Sequence, residues 1–426
     1  MAVALLFLSL AALLLIGVPV AFALAAASFV TATWIGLPDM VSVIGIASGA
    51  NASTLIAIPL FIFTGEIMLK GGLSDRIIAF AASLVGHLRG GLGQVSVLAS
   101  LLFGGVSGSA IADVSAIGGT MIPQMTQRGF DRDFAVNVSI TAALVALLVP
   151  PSHNLILYSA AAGGGISIAD LFAAGIVPAL LLVLALMSTT WLIARRRGYA
   201  VEAFPGLRTV LRCLVAALPG LLLIGLILGG IRAGIFTAVE SAAIAVLYAL
   251  TIAALLYRRL SWPVFVHLCT GAARTTGAIL FVIAAAAAFG WLLAYLQVPA
   301  SAVAALQSVA DSPVVVLLLI VAVLLVLGTF MDMAPMIIIC TPIFLPVAKA
   351  YGISPVHFGT ILILTAGIGL ITPPVGSVLF VGAAIGRISV GTALRTIWPF
   401  YLAALSVLLL VTFVPALSLW LPATLK

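Results

Sequence analysis

Two consecutive prolines occur twice in this chain, at Pro150-Pro151 and at Pro373-Pro374, each time inside a long apolar run. Proline has no N–H, and its ring blocks the normal bond to the preceding turn, so a helix breaks there and nearby carbonyls lose their partners. A second kind of interruption precedes each break. The first is Phe103-Gly-Gly-Val-Ser-Gly-Ser-Ala-Ile-Ala-Asp113, closing at Pro123; the second is Gly328-Thr-Phe-Met-Asp332, closing at Pro342. Each Asp stands ten residues before its Pro. The unit "interrupted hairpin, then broken helix" is therefore present twice. Backbone that unwinds at membrane depth is tolerated only where it is buried in protein or lines a wet cavity. A carboxylate at that depth is costly and marks a functional site by default. Paired Gly/Pro-interrupted segments in the two halves of a chain point to the binding site of a secondary transporter.

Composition sets the solvent. Of the 426 residues, 64% are hydrophobic and 7% charged, with a mean hydropathy of +1.38; a soluble domain carries about a quarter charged residues. The apolar runs are about 20 residues long, which suits helices rather than membrane strands. The net charge of +7 is spread over segment ends, as topology determinants are, so it does not indicate nucleic acid. Cys213, Cys269 and Cys340 have no metal-ligand spacing and imply no disulfide framework. Met1 to Leu15 lacks a basic start and runs on through Phe29, so it reads as a retained first helix.

The expectation is an all-α integral membrane protein with about ten to eleven transmembrane helices, two re-entrant hairpins and two broken helices. Residues 1–53 hold helices over 3–16 and 18–36 and a link over 39–53. Residues 54–170 hold a span to Lys70, a hairpin over about 73–126 and a broken helix over about 134–162. Residues 171–275 hold spans over 171–194, 213–231 and 234–257 and an interfacial amphipathic helix over 261–275. Residues 276–390 hold a span to 297, a hairpin over about 300–349 and a broken helix over about 355–386. Residues 391–426 hold one last span over 396–420. With Arg195 to Arg197 and Arg258-Arg259 placed in the cytoplasm, the hairpins enter from opposite sides, and the halves form an inverted repeat.

Sodium is a hard cation that takes oxygen ligands, and broken helices supply them. The candidate ion ligands are Gly105, Ser107, Ser109 and Asp113 with Pro150 and Pro151, and Gly328, Thr329 and Asp332 with Thr372, Pro373 and Gly376. The candidate groups for an anionic substrate between the tips are Ser107, Gly108, Ser109, Ser152, Asn154, Thr329, Thr372 and Ser377. Three roles stay open for Asp113 and Asp332: ion ligand, acceptor for hairpin N–H groups, or proton carrier. Glu66 and Glu240 read as buried hydrogen-bonding partners between helices, and His153, Met331, Met333 and Met336 as packing. An importer driven by sodium is the leading function. An aspartyl protease using Asp113 and Asp332, or a channel, are the other classes considered. No phosphate loop and no His-Glu-x-x-His is present, so ATP-driven transport and metalloprotease chemistry have no motif to rest on.

The pattern resembles the large membrane subunit of tripartite ATP-independent periplasmic (TRAP) transporters, within the wider ion-transporter superfamily. The carriers are Ile58-Pro-Leu-Phe-Ile-Phe-Thr-Gly-Glu66, Ser107-Gly-Ser-Ala-Ile-Ala-Asp113, Ile122-Pro123, Pro150-Pro-Ser152, Gly234-Ile-Phe-Thr237 with Glu240, Met331-Asp332, Thr341-Pro-Ile-Phe-Leu-Pro346 and Thr372-Pro-Pro-Val-Gly376. Where this family often reads Thr-Pro-Thr-Glu, the chain has Thr237-Ala-Val-Glu240. The resemblance implies a bacterial inner-membrane protein with two partners, a periplasmic substrate-binding protein and a small four-helix membrane subunit. It implies sodium as coupling ion, no prosthetic group, and an organic acid as cargo: a C4-dicarboxylate, keto acid, sugar acid or sialic acid. It also implies an elevator, in which residues 54–170 and 276–390 move against a scaffold made by 1–53, 171–275 and 391–426.

Overall fold

Gly17, with a φ of +84°, turns the chain between two apolar helices, α1 (Ala2–Leu15) and α2 (Val20–Trp34), where a β-carbon would be strained. In this computed structural model the described residues are 1–51, 53–307 and 312–424, and among them every regular element is helical. Pro38 opens α3 (Asp39–Ala50), so the stretch read as a link is itself a helix. Next, α4 (Ala57–Lys70) stops at Gly71-Gly72, and α5 (Leu73–Val85) leaves it at 69°.

The first hairpin begins later than the sequence suggests. Gly86 and Gly90, the latter at φ +79°, separate α5 from α6 (Gly91–Ser107), so the hairpin starts near 91 rather than 73. Its tip is Gly108-Ser109, with Gly108 at φ +56°. The return consists of α7 (Ala110–Asp113), a wide π-helical turn over 114–118, and α8 (Gly119–Gln127). The first broken helix comprises α9 (Arg132–Ala142), α10 (Val145–Leu148) and α11 (His153–Ala161), bent by 53° across the Pro150-Pro151 break. A long apolar helix follows, α12 (Ile168–Arg196).

The second half opens with α13 (Leu207–Arg232) and α14 (Ala238–Thr251). The amphipathic helix at 261–275 and the span at 276–297 are one element, α15 (Trp262–Tyr295). Gly271 and Gly277 do not break it; a glycine inside a helix costs only about 1 kcal/mol. At 34 residues, α15 is about 50 Å long, well beyond a hydrocarbon core of about 30 Å. Residues 298–307 form a separate helix, α16 (Val298–Gln307), packed on the hairpin rather than belonging to it. The second hairpin is therefore α17 (Pro313–Gly328) and α18 (Met333–Ala350); the part of the expected range at 308–311 lies outside the described residues. The second break separates α19 (Pro355–Leu370) from α20 (Ser377–Gly386). After α21 (Val390–Thr396), the last span is not single: α22 (Trp398–Phe413) and α23 (Ala416–Thr424) meet at 62° beside Pro415. By length and apolarity five of the described helices can cross a bilayer, or up to nine with each bent pair counted as one span.

Small residues let the broken helices cross the hairpins closely. Gly104 of α6 lies on Ala146 of α10, and Gly328 of α17 lies on Gly369 of α19. Without a hydrophobic drive between helices in lipid, close packing of this kind is what holds them. The two halves also interlock, because Gly382 and Gly386 bring α20 onto Ile140 and Val136 of α9. Asn137 Nδ2 donates to the Ala393 carbonyl at 3.0 Å and to Thr396 Oγ1 at 2.9 Å, joining α9 to α21.

Where α8 hands over to α9, Arg197 reaches from the end of α12. It donates to Asp131 Oδ2 at 2.8 Å and to both Asp133 oxygens at 2.8 and 3.0 Å. The Asp133 hydrogen bond holds the guanidinium above its already high pKa. Arg197→Ala is expected to lower the thermal midpoint of the purified protein, by an amount that shrinks as salt is raised. An unchanged midpoint at low salt would show that the fork contributes nothing.

Candidate functional site

Each tip sits against the break that follows it. In the first pair, Gly108 is pressed against Ser152 and His153, and Gly105 against the Pro150 carbonyl; a β-carbon at Gly105 would come within 2.6 Å of that oxygen. Asn154 Nδ2 donates to the Gly108 carbonyl at 2.8 Å. Ser109 caps α7, its hydroxyl accepting from the Ala112 N–H at 3.4 Å. Asp113 is fully buried on the returning arm, and Ser100 of the outgoing arm donates to its Oδ2 at 2.6 Å. The side chain of Ser107 lies outside the described residues.

In the second pair, the Val375 N–H donates to the Thr329 carbonyl at 3.0 Å, and Ser377 Oγ to Asp332 Oδ1 at 3.3 Å. The Thr329 and Thr372 hydroxyls donate back into their own helices, to Val326 and Ile368, each at 2.7 Å. Tyr401 donates to the Ile371 carbonyl. Several carbonyls that the proline argument leaves without partners are thus engaged here. A donating hydroxyl still keeps acceptor lone pairs, as does a carbonyl with one bond. Both Pro-Pro peptides are cis. The pairs differ in exposure: Asp113 is buried, whereas Asp332 is exposed.

Two oxygens in the first pair fit a hard cation. Asp113 Oδ1 and Ser152 Oγ are buried and, among the described residues, have no hydrogen-bond partner. A buried acceptor left empty is expensive, and a small cation would satisfy it. Among the described residues no three of His, Cys, Asp and Glu converge as a transition-metal site requires. Among the described residues Asp113 and Asp332 share no hydrogen bond; each accepts from a serine of its own.

A cavity of about 620 Å³ lies between the tips. Tip one lines it from Ser109 to Ala112, the first break with His153 and Asn154, and tip two from Asp332 to Ala334. Of the residues proposed for substrate, Ser109 and Asn154 line it, while Gly108, Ser152, Thr329, Thr372 and Ser377 do not. Most of the remaining wall comes from α4, with Ile62, Gly65, Glu66 and Leu69, and from α15, with Arg274, Thr275, Ala278 and Ile279; Phe103, Ser115, Leu147 and Leu370 complete it.

Residues 7–417 match the family described as tripartite ATP-independent periplasmic transporter, DctM component. The chain belongs to this family. Among DctM relatives, the uncharacterized protein YgiK of Salmonella typhimurium is 41% identical, over 98% of this chain and 96% of that one. The 2,3-diketo-L-gulonate TRAP transporter large permease protein YiaN of Escherichia coli is 35% identical over 94% of both chains. The sialic acid TRAP transporter large permease protein SiaM of Vibrio cholerae is 37% identical over 96% of both. The crystal structure of the Alcanivorax borkumensis YdaH transporter shares the fold, with a TM-score of 0.58 and 16% identity over 87% of this chain and 86% of that one.

Two acidic residues of this DctM component differ from their expected roles. Glu240 is exposed, not buried between helices. It closes a capping box at the start of α14, accepting from the Thr237 N–H at 2.8 Å while Thr237 Oγ1 accepts from the Glu240 N–H at 3.3 Å. The Thr-x-x-Glu spacing carried that signal. Glu66 is half-buried and faces the cavity, with Lys70 one turn on at 4.0 Å. The sequence reading missed Ser100 and Arg274. Ser100 is an unremarkable serine in an apolar helix, and Arg274 sat in a stretch assigned to the membrane surface.

Proposed function

We propose that this chain is the large permease of a three-part uptake system in a bacterial inner membrane, importing an organic acid together with sodium. The observation that carries the reading is the cavity bounded by both hairpin tips, beside buried oxygens on Asp113 and Ser152 that have no hydrogen-bond partner among the described residues. Sodium would be held by the tip-and-break pairs: Gly105, Ser109, Asp113, Pro150 and Ser152 in the first, and Gly328, Thr329, Asp332, Thr372, Pro373 and Gly376 in the second. Bound there, it would supply positive charge against which an anion is retained. Asn154 and Ser109 would fix the tip over the cargo. A periplasmic binding protein would deliver the acid, and a small membrane subunit would brace the helices that stay still while the hairpins and broken helices move together. Relatives named for diketogulonate and sialic acid transport support an organic acid as cargo.

The test is uptake into proteoliposomes holding the permease with its partners. Uptake is expected to require an inward sodium gradient and to stop when sodium is replaced by choline. Uptake indifferent to sodium but driven by a pH gradient would overturn sodium coupling and make Asp113 and Asp332 proton carriers.

A further inference from the structure

We propose that Arg274 anchors the carboxylate of the cargo, and that the charges facing it select a hydroxylated monocarboxylate over a dicarboxylate. This rests on the reading of the chain as an organic-acid importer and names its substrate class.

Among the described residues Arg274 is the only lysine or arginine lining the cavity between the tips. It has no hydrogen bond or ion pair among the described residues, and its exposed side chain stands at the cavity wall. A guanidinium presents a planar fork of donors that fits a carboxylate with two parallel bonds. The wall around it carries Ile62, Leu69, Phe103, Ala278 and Ile279, none of which competes for a carboxylate.

The rest of the lining carries charge of the other sign. Glu66 and Asp332 face the same space. Lys70, the nearest cation to Glu66, is 4.0 Å away and does not line the cavity. Among the described residues the Asp332 carboxylate is engaged only by the Ser377 hydroxyl. A second carboxylate on the cargo would meet these like charges with no cation to face it. Sodium at Asp332 would neutralise one of them and leave Glu66. Hydroxyls, by contrast, can donate to both carboxylates and to Ser109 and Ser115. The volume of about 620 Å³ exceeds what a small acid needs, so charge rather than size decides.

Binding to the purified membrane complex, without the periplasmic receptor, isolates this site from the receptor's own selectivity. The probes are gluconate and succinate in sodium buffer, followed by calorimetry. Gluconate is expected to bind the wild type at least about tenfold more tightly than succinate. Arg274→Ala is expected to weaken gluconate by about tenfold or more, with Arg274→Lys recovering part of the loss. Glu66→Gln should narrow the gap between the two acids by strengthening succinate. The ligand-free thermal midpoint and sodium binding are expected to stay at wild-type values in Arg274→Ala, which separates a lost anchor from misfolding. Wild-type gluconate affinity in Arg274→Ala would overturn the anchor. Equal affinity for the two acids, or binding of neither, would overturn the substrate class. Sodium-driven uptake by the wild type is a separate readout: its absence would sink the importer reading, while its presence in an indifferent Arg274→Ala variant would sink only this inference.

Discussion

Valine at position 369 is expected to abolish uptake and to leave little folded protein. A β-carbon on Gly369 would stand 2.7 Å from Cα, C and O of Gly328. All three are backbone atoms, so no side chain can swing away, and α17 must separate from α19. Overpacking of a well-packed interior costs about 1–3 kcal/mol and sometimes more, and the crossing lost here holds the second tip against its break. Position 328 is more forgiving. A β-carbon there would meet Gly369 Cα at 3.1 Å and the flexible Met336 sulfur at 3.3 Å. The ranking in severity should therefore be Gly369→Val, then Gly369→Ala, then Gly328→Ala. Thermal midpoint and elution profile of the purified complex measure it, with uptake alongside. Gly104→Val, facing Ala146 Cα at 2.5 Å, should copy the first of these in the other half. Normal folding and uptake in Gly369→Val would show that the crossing is dispensable.

The tips and breaks were legible because glycine and proline act locally. Pro150-Pro151 and Pro373-Pro374 forbid a helix whatever surrounds them, and Gly108 is the residue that takes a φ of +56° without strain. What touches what was not legible. Asn154 reaches the carbonyl of Gly108 across 46 positions, and Ser100 reaches Asp113 across the hairpin. Neither pairing leaves a periodic trace. Helix ends set by weak signals were misplaced for the same reason. Gly271 and Gly277 lie within α15 without breaking it, whereas Gly86 and Gly90 do end helices, because Gly90 must take φ +79° to turn the chain. Arg274 escaped notice because its chemistry depends on a cavity made by α4, α15 and both tips. In sequence it is one cation in an amphipathic stretch.

Removing the amide of Asn154 should damage one of the two proposed ion sites and spare the other. Its Nδ2 donates to the Gly108 carbonyl at 2.8 Å inside the protein, tying the first tip to the break that follows it. Asn154→Ala leaves the carbonyl without its donor, at a cost of about 1–3 kcal/mol, and frees the tip from the break. The second pair does the same job with backbone: the Val375 N–H on the Thr329 carbonyl survives any side-chain truncation. The variant is thus expected to assemble normally and to take up substrate at least about tenfold more slowly at limiting sodium. Its sodium dependence should be less steep, because one site is weakened while the other is intact. Asn154→Asp should fare no better, since a carboxylate has no N–H to donate and faces the same carbonyl with negative charge. High sodium should restore Asn154→Ala in part, because mass action can refill a weakened site but cannot mend a misfolded one. A sodium dependence as steep as that of the wild type, with the same half-saturation, would mean that the bond between the first tip and its break does not shape an ion site at all.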